Sequence, residues 1–281
     1  DQKPEQILIG DYPLLDQKSS LDVLNNSVQA YGNGAGIWPA LLPKRRITYV
    51  KKFLDEFRRT RNEVVKYLIW EIGKNATEAE KEFDRTVEYI HETIDYYSDK
   101  TETFKNPRKK GNISAKVTLQ PRGIVLCMGP YNYPLNETFT TLIPALITGN
   151  VVIFKPPRLG VLLHRPVLKV LQKVFPAGVV NTVYGEGQKV IQPLMESGKI
   201  DVLAFIGSSK VADILKKSHP QPHRLHTILG LEAKNPAIIF NKCDIDKTVS
   251  ECVKGTLSYN GQRCTAIKIL FVEREISDIF A

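Results

Sequence analysis

The spacing of apolar positions along the chain changes twice. From Pro43 to Ile72 they recur at Val50, Phe53, Leu54 and Phe57 and again at Val65, Leu68, Ile69 and Ile72, which predicts a helix with one buried stripe, closed by Asn75. Thr77 with Glu80 three residues on has the form of a capping box, so a second helix is expected there, with Phe83, Val87, Ile90, Ile94 and Tyr97 on its core face. Between Lys109 and Leu126 the period shortens to two. Ile113, Ala115, Val117 and Leu119 alternate with Ser114, Lys116, Thr118 and Gln120, as in a half-buried antiparallel hairpin of the kind that often joins subunits. Beyond Gly123 come short, almost wholly apolar runs, IVLCMG, VVIFKP, VVNTVYG and VLAFIGS, separated by helix-like stretches. Strands apolar on both faces that alternate with helices predict an α/β fold with a doubly wound, Rossmann-like parallel sheet, whose ligands sit at the carboxyl ends of the strands. The first forty residues, with Gly32, Gly34, Gly36 and Pro39, are expected to be strand and loop wrapped onto this body.

Composition narrows the function. With 281 residues, 42% of them apolar, the chain can bury the cores of one or two domains. Its 39 Lys and Arg against 30 Asp and Glu give a net charge of +9, which favours anionic ligands. The basic residues Lys44, Arg45, Arg46, Lys51, Lys52, Arg58 and Arg59 are spread as a solvated helix face spreads them, so a nucleotide cofactor or phosphorylated substrate is expected and nucleic acid is not. Cys127, Cys243, Cys252 and Cys264 form no C-x-x-C pair and have no His at ligand spacing; neither a metal site nor a disulfide framework is expected, and a reducing, cytoplasmic setting fits. No apolar run approaches the roughly 18 residues of a membrane span, so no membrane partner is expected. The start lacks a basic region followed by an apolar core, and without an initiating Met it is expected to have been trimmed.

The candidate chemistry lies just after the apolar runs. GPYNYPLN places Asn132 in a Pro-flanked turn, where its amide serves either to form the turn or to donate to a developing oxyanion. FKPPR carries Lys155 and Arg158, either a solvated pair ahead of a helix or the cations that meet a dinucleotide's adenosine ribose and phosphate. In VLAFIGSSK, Gly207 and Ser208 precede a helix expected near Lys210, whose free N–H groups and dipole suit a pyrophosphate. Gly185 and Gly187 form a Gly-x-Gly without a third glycine, a turn or a weak phosphate signal. In YNGQRCTA, Cys264 sits beside Arg263 among small and polar residues, and a neighbouring cation raises the thiolate fraction of a group that otherwise titrates near ~8.5. Cys127 and Cys252, inside apolar runs, read as packing.

Taken together, GPYNYP, FKPP, FIGSS and GQRCTA, in this order and at these separations, resemble the aldehyde dehydrogenase superfamily from about Trp38 to the last residue. Within it the chain is most similar to the non-phosphorylating, NADP-linked glyceraldehyde-3-phosphate dehydrogenases. The resemblance implies an aldehyde dehydrogenase fold: a dinucleotide-binding domain from residues 1–108 and 125–231, an oligomerisation hairpin at 109–124, and the beginning of a second α/β catalytic domain at 232–281. It implies Cys264 as nucleophile, the Asn132 amide and the Cys264 backbone N–H as oxyanion donors, and Pro130, Lys155, Arg158, Gly187, Gly207 and Ser208 around the cofactor. Arg263 and Tyr133 stand where that group binds the substrate phosphate, and His91 falls near a further phosphate-binding Arg. The place three residues after Lys155, a Glu in NAD-preferring relatives, is Arg158, so NADP is expected over NAD. The family segment ELGGK reads GLEAK here; Gly230 takes the place of the general base, and Glu232, on the same side two residues on if the segment is extended, is the candidate to replace it.

The implied partners are a small aldehyde, glyceraldehyde 3-phosphate first and a short carboxylate-bearing semialdehyde second, and a homodimer or homotetramer. The family's chain normally continues well past residue 281, so the sequence is expected to be a fragment or a shortened product. Two other readings stay open: a nucleotide-binding or structural subunit without catalysis, and a thioesterase or esterase using the same thiol.

Overall fold

In the computed structural model the chain divides into two compact units, one ending at Leu229 and the other Gly230–Ala281. Residues 6–103 and 107–281 are described; positions 1–5, on which the expectation of a trimmed start rests, and 104–106 lie outside the described residues.

The first unit runs through α1 (Gln17–Tyr31), α2 (Pro43–Arg58), α3 (Arg61–Ile72), α4 (Ala76–Thr103), β1 (Arg108–Lys110), β2 (Ile113–Ala115), β3 (Ile124–Met128) and α5 (Asn136–Ile147). It continues with β4 (Val151–Lys155), α6 (His164–Val174), β5 (Val180–Thr182), α7 (Gly187–Val190), α8 (Gln192–Glu196), β6 (Val202–Gly207), α9 (Ser209–Ser218) and most of β7 (His226–Leu231), whose last two residues belong to the second unit. Five strands form one sheet in the order β5-β4-β3-β6-β7, and the β3–β4, β3–β6 and β4–β5 pairs are parallel. The expected α/β architecture is therefore present. Sequence order runs outward from β3 to β5 and then reverses to β6, so the loops after β3 and β6 border the switch point where such sheets take their ligands.

The first four residues of β3, β4 and β6 are buried in each strand, as their unbroken apolar runs require. On one face Phe53 and Phe57 of α2 stack against Phe139 of α5, and Phe57 stacks on Phe83 of α4 with ring centroids 4.6 Å apart. Each such ring, fully buried, is worth roughly 1.5–3 kcal/mol of transfer free energy.

Four expectations need correction. The first forty residues include a helix, α1, whose N-cap Asp16 accepts from the Ser19 N–H and whose C-cap Gly32 is left-handed. Its buried residues are Leu24, Ser20 and Ser27, too polar a stripe to show as an apolar period. The stripe from Pro43 to Ile72 belongs to two helices, α2 and α3, the second closed by left-handed Gly73. The cap of α4 is Asn75, whose Oδ1 accepts from the Glu78 N–H at 2.8 Å, so Thr77 lies inside the helix. The hairpin is three residues per strand, and β2 is exposed along its length; residues 116–120 belong to no strand.

The second unit contains β8 (Asn235–Ile239), α10 (Ile245–Leu257), β9 (Ile267–Val272) and α11 (Ser277–Phe280). β8 and β9 are parallel and joined through α10, and the small core is Ile239, Cys252 and Ile276. Among the described residues no helix is long and apolar enough to cross a membrane.

Candidate active site

The turn after β3 carries Pro130, Asn132 and Tyr133, all half-buried. A Cβ on Gly129 would lie 1.9 Å from Thr138 Oγ1, so only glycine lets the chain leave β3 this close under α5. At the far end of the turn, the backbone N–H groups of Leu135 and Asn136 donate to Glu82 Oε1 at 3.0 and 3.2 Å. Lys74 Nζ lies 2.5 Å from Glu82 Oε2 and 3.5 Å from the centroid of the Tyr133 ring. Burial raises the Glu82 carboxyl above its ordinary range, against the opposing pull of Lys74 and the two N–H donors.

The chain after β4 borders a cleft of about 360 Å³ lined by Lys155, Arg158, Tyr12, Tyr184, Glu186 and Gly187, among others. Three of the residues expected to meet a dinucleotide are thus brought together. Burial lowers the pKa of the Lys155 ammonium and pushes the Tyr184 phenol up to about 12. The rings of Tyr12 and Tyr184 are 5.9 Å apart. Glu186 pairs with Lys189 at 3.0 Å, which offsets part of its charge at the rim. Gly187 opens α7, and a Cβ there would meet nothing within 4 Å. The loop entering α6 is held by Glu71, whose carboxylate oxygens accept from the N–H groups of Val161 and Leu162 at 2.7 and 2.9 Å.

Beyond β6, Ser208 caps α9, its Oγ accepting from the Val211 N–H at 3.4 Å. A Cβ on Gly207 would lie 2.4 Å from the ring of Phe205, so the residue is a glycine for space. His91 stands on the exposed side of α4, 3.1 Å from Asp95 Oδ2.

In the second unit, α10 runs into a turn in which Tyr259, Asn260 and Gly261 are all left-handed, with φ of 51, 53 and 68°. Two successive non-glycine residues in this region are costly and occur where surrounding structure fixes them, often beside functional loops. The loop that follows carries half-buried Arg263, which donates to Ser258 Oγ at 2.8 Å, and exposed Cys264. Asn235, at the start of β8, donates from Nδ2 to the carbonyls of Cys264 and Ala266 at 2.6 and 2.9 Å. Glu232 is exposed and lies past the end of β7, so the strand argument that put it on the same side as Gly230 does not reach it. Cys127 and Cys252 are buried as expected, and burial pushes the Cys127 thiol up to about 12. No group of His, Cys, Asp and Glu suited to a metal occurs among the described residues.

The model of the aldehyde dehydrogenase family matches residues 5–281. The chain belongs to that family. It is 32% identical over 276 residues to the NADP-dependent glyceraldehyde-3-phosphate dehydrogenase of Streptococcus equinus, covering 96% of this chain and 56% of that one. It is 28% identical over 245 residues to the lactaldehyde dehydrogenase of Methanococcus aeolicus, covering 85% and 51%. Among solved structures, that of the NADP-dependent glyceraldehyde-3-phosphate dehydrogenase of Bacillus halodurans complexed with NADP superposes with a TM-score of 0.83 at 28% identity, covering 95% of this chain and 56% of that one. The chain thus spans about half the length of the aldehyde dehydrogenases it matches.

Sequence reading missed five residues of the candidate cleft and loops. Tyr12 reaches the cleft from a segment without a motif, and Tyr184 from the residue directly before the Gly185-x-Gly187 turn. Glu71, Glu82 and Asn235 belong to none of the motifs singled out in the sequence. The partners of all three acceptors and donors lie dozens of positions away, where no local period records them.

Proposed function

We propose that this chain is the dinucleotide-binding and nucleophile-bearing part of an aldehyde dehydrogenase that oxidises glyceraldehyde 3-phosphate to the carboxylic acid with NADP. The observation that carries the reading is the Cys264 loop: an exposed thiol, next to an Arg, on a segment tied down by Asn235.

The cleft beside Lys155 fits the cofactor. Half-buried Lys155 and exposed Arg158 supply two cations to a phosphorylated ribose, with Arg158 taking the place of an acid that would repel a 2′-phosphate. Pro130, Gly187, Gly207 and Ser208 are the remaining residues assigned to the dinucleotide. These residues would hold the dinucleotide, which would supply a hydride acceptor for the oxidation of a thiohemiacetal to a thioester.

The chain's own residues do the rest. The Cys264 sulfur attacks the aldehyde carbon, and the Asn132 amide with the Cys264 backbone N–H donates to the oxygen as it gains charge. Arg263 and Tyr133 take the substrate phosphate, with His91 as a further contact. Glu232 accepts the proton of the water that hydrolyses the thioester; without such a base, deacylation slows by about 10²- to 10⁴-fold. Residues 232–281 begin the catalytic domain, the hairpin at 109–124 contributes to a homodimer or homotetramer, and the enzyme works in the cytoplasm.

The test is NADPH formation by the full-length enzyme carrying Asn132→Ala. Loss of an oxyanion donor predicts a fall of roughly 10²- to 10³-fold at unchanged thermal stability; unchanged turnover removes Asn132 from the site. The likeness to a lactaldehyde dehydrogenase favours comparing glyceraldehyde 3-phosphate, lactaldehyde and a carboxylate-bearing semialdehyde with both NADP and NAD. A higher kcat/KM for an aldehyde without phosphate overturns the substrate assignment.

A further inference from the structure

Among the described residues, Lys74 and Glu82 form the ion pair whose two side chains are both fully buried. Lys74 follows the left-handed Gly73 that ends α3, and Glu82 lies in the second turn of α4. Both reach across to the turn that carries Asn132: Lys74 places its ammonium over the Tyr133 ring, and Glu82 accepts from the Leu135 and Asn136 N–H groups, two of the donors that the start of α5 leaves without intrahelical partners. A carboxylate at this position is also favoured by the α5 dipole. The turn is thus fastened at the ring next to Asn132 and again two residues beyond it, while Gly129 packs against Thr138 at its start.

Stability is a poor explanation for such a pair. Removing two charges from water costs a great deal, and their attraction offsets it only in part, so an apolar pair of equal volume would commonly serve the core as well. An apolar pair cannot offer an acceptor to two amides and a cation to a ring face in fixed directions.

We propose that Lys74 and Glu82 are positioning residues that hold the 131–136 turn so that the Asn132 amide stands ready for the oxyanion. The inference rests on the reading of Asn132 as an oxyanion donor. The cofactor cleft is braced by a different acid, Glu71, so the pair governs the chemical step and not dinucleotide binding.

Two measurements on the full-length enzyme test this. Hydrogen exchange read by mass spectrometry on Glu82→Gln is expected to show faster exchange at the Leu135 and Asn136 amides, with β3 and β4 as protected as before. Steady-state kinetics on the same variant are expected to show kcat lowered by about 10- to 100-fold, the scale of a small misplacement of a catalytic group, with KM for NADP changed less than twofold. Glu71→Gln is expected to do the reverse, raising KM for NADP with a smaller effect on kcat. If Glu82→Gln does not fold, the double variant Lys74→Met/Glu82→Gln, which leaves no unpaired buried charge, takes its place. Unchanged exchange at 135–136 overturns the proposal, and so does faster exchange with unchanged kcat. If Asn132→Ala leaves turnover intact, the functional reading fails instead, and the exchange arm still decides whether the pair holds the turn.

Discussion

The Asn235 side chain holds the carbonyl of Cys264 at 2.6 Å, across 29 positions of sequence. With its second bond to Ala266 it fixes the loop bearing the candidate nucleophile to the first residue of β8, next to the GLEAK segment from which the candidate base comes. Each bond is worth on the order of 1 kcal/mol, so Asn235→Ala is expected to lower kcat roughly tenfold while circular dichroism stays unchanged. Wild-type kcat in that variant would show that the loop keeps its shape unaided.

Cys264 is exposed, Cys243 half-buried, and Cys127 and Cys252 buried. Iodoacetamide at neutral pH is therefore expected to modify Cys264 first, at a rate that changes when NADP is present, with turnover lost in step. Peptide mapping by mass spectrometry reads the order. Label that appears first on another cysteine, with activity retained, contradicts the assignment of the nucleophile.

Arg158 faces the cleft beside Lys155. Arg158→Glu removes a charge-assisted contact and adds repulsion, so KM for NADP is expected to rise by about 10- to 100-fold, and KM for NAD much less. Initial rates with both cofactors measure the ratio; parallel changes would place the 2′-phosphate elsewhere.

His164, the first residue of α6, is fully buried. Its Nδ1 lies 2.9 Å from the Gly160 carbonyl, its Nε2 has no hydrogen-bond partner among the described residues, and burial pushes its pKa down from 6.5 to about 4. A depressed folded-state value means that the unfolded chain takes up the proton first. Stability from this group is complete above pH 6.5, falls as the pH drops through the window from 6.5 to 4, and levels off below it, a total of roughly 3 kcal/mol. Urea unfolding between pH 7 and 4 is expected to show this slope in the native sequence and a flatter one in His164→Asn. Equal slopes would assign the acid sensitivity to other groups.

Strands β3, β4 and β6 were legible because burial on both faces leaves nothing but apolar residues at Ile124–Cys127, Val151–Phe154 and Val202–Phe205, whereas β7, half-exposed along HTILGL, was not read as a strand. The positions of Lys155, Arg158, Gly207 and Ser208 followed, since strand ends and helix starts are local features. Helix α1 was hidden because Ser20 and Ser27 do the packing that larger apolar residues usually do. The break after Arg58 was hidden because Phe57, Val64 and Val65 are all buried, so the stripe continues across it. The supports of the site, Glu71, Glu82 and Asn235, owe their roles to partners distant in sequence, and only the folded chain reveals them.

Glu71 and Glu82 flank the corner at residues 73–75, and each latches a different loop, one after β4 and one after β3. The corner therefore works as a ruler between the cleft beside Lys155 and the turn that carries Asn132, and its length is under a constraint that surface connections ordinarily escape. A residue inserted there would move one latch relative to the other and unfasten a loop with every apolar side chain still in place. The same insertion at the exposed tip of the β1–β2 hairpin, beside Gly111, would cost the site nothing.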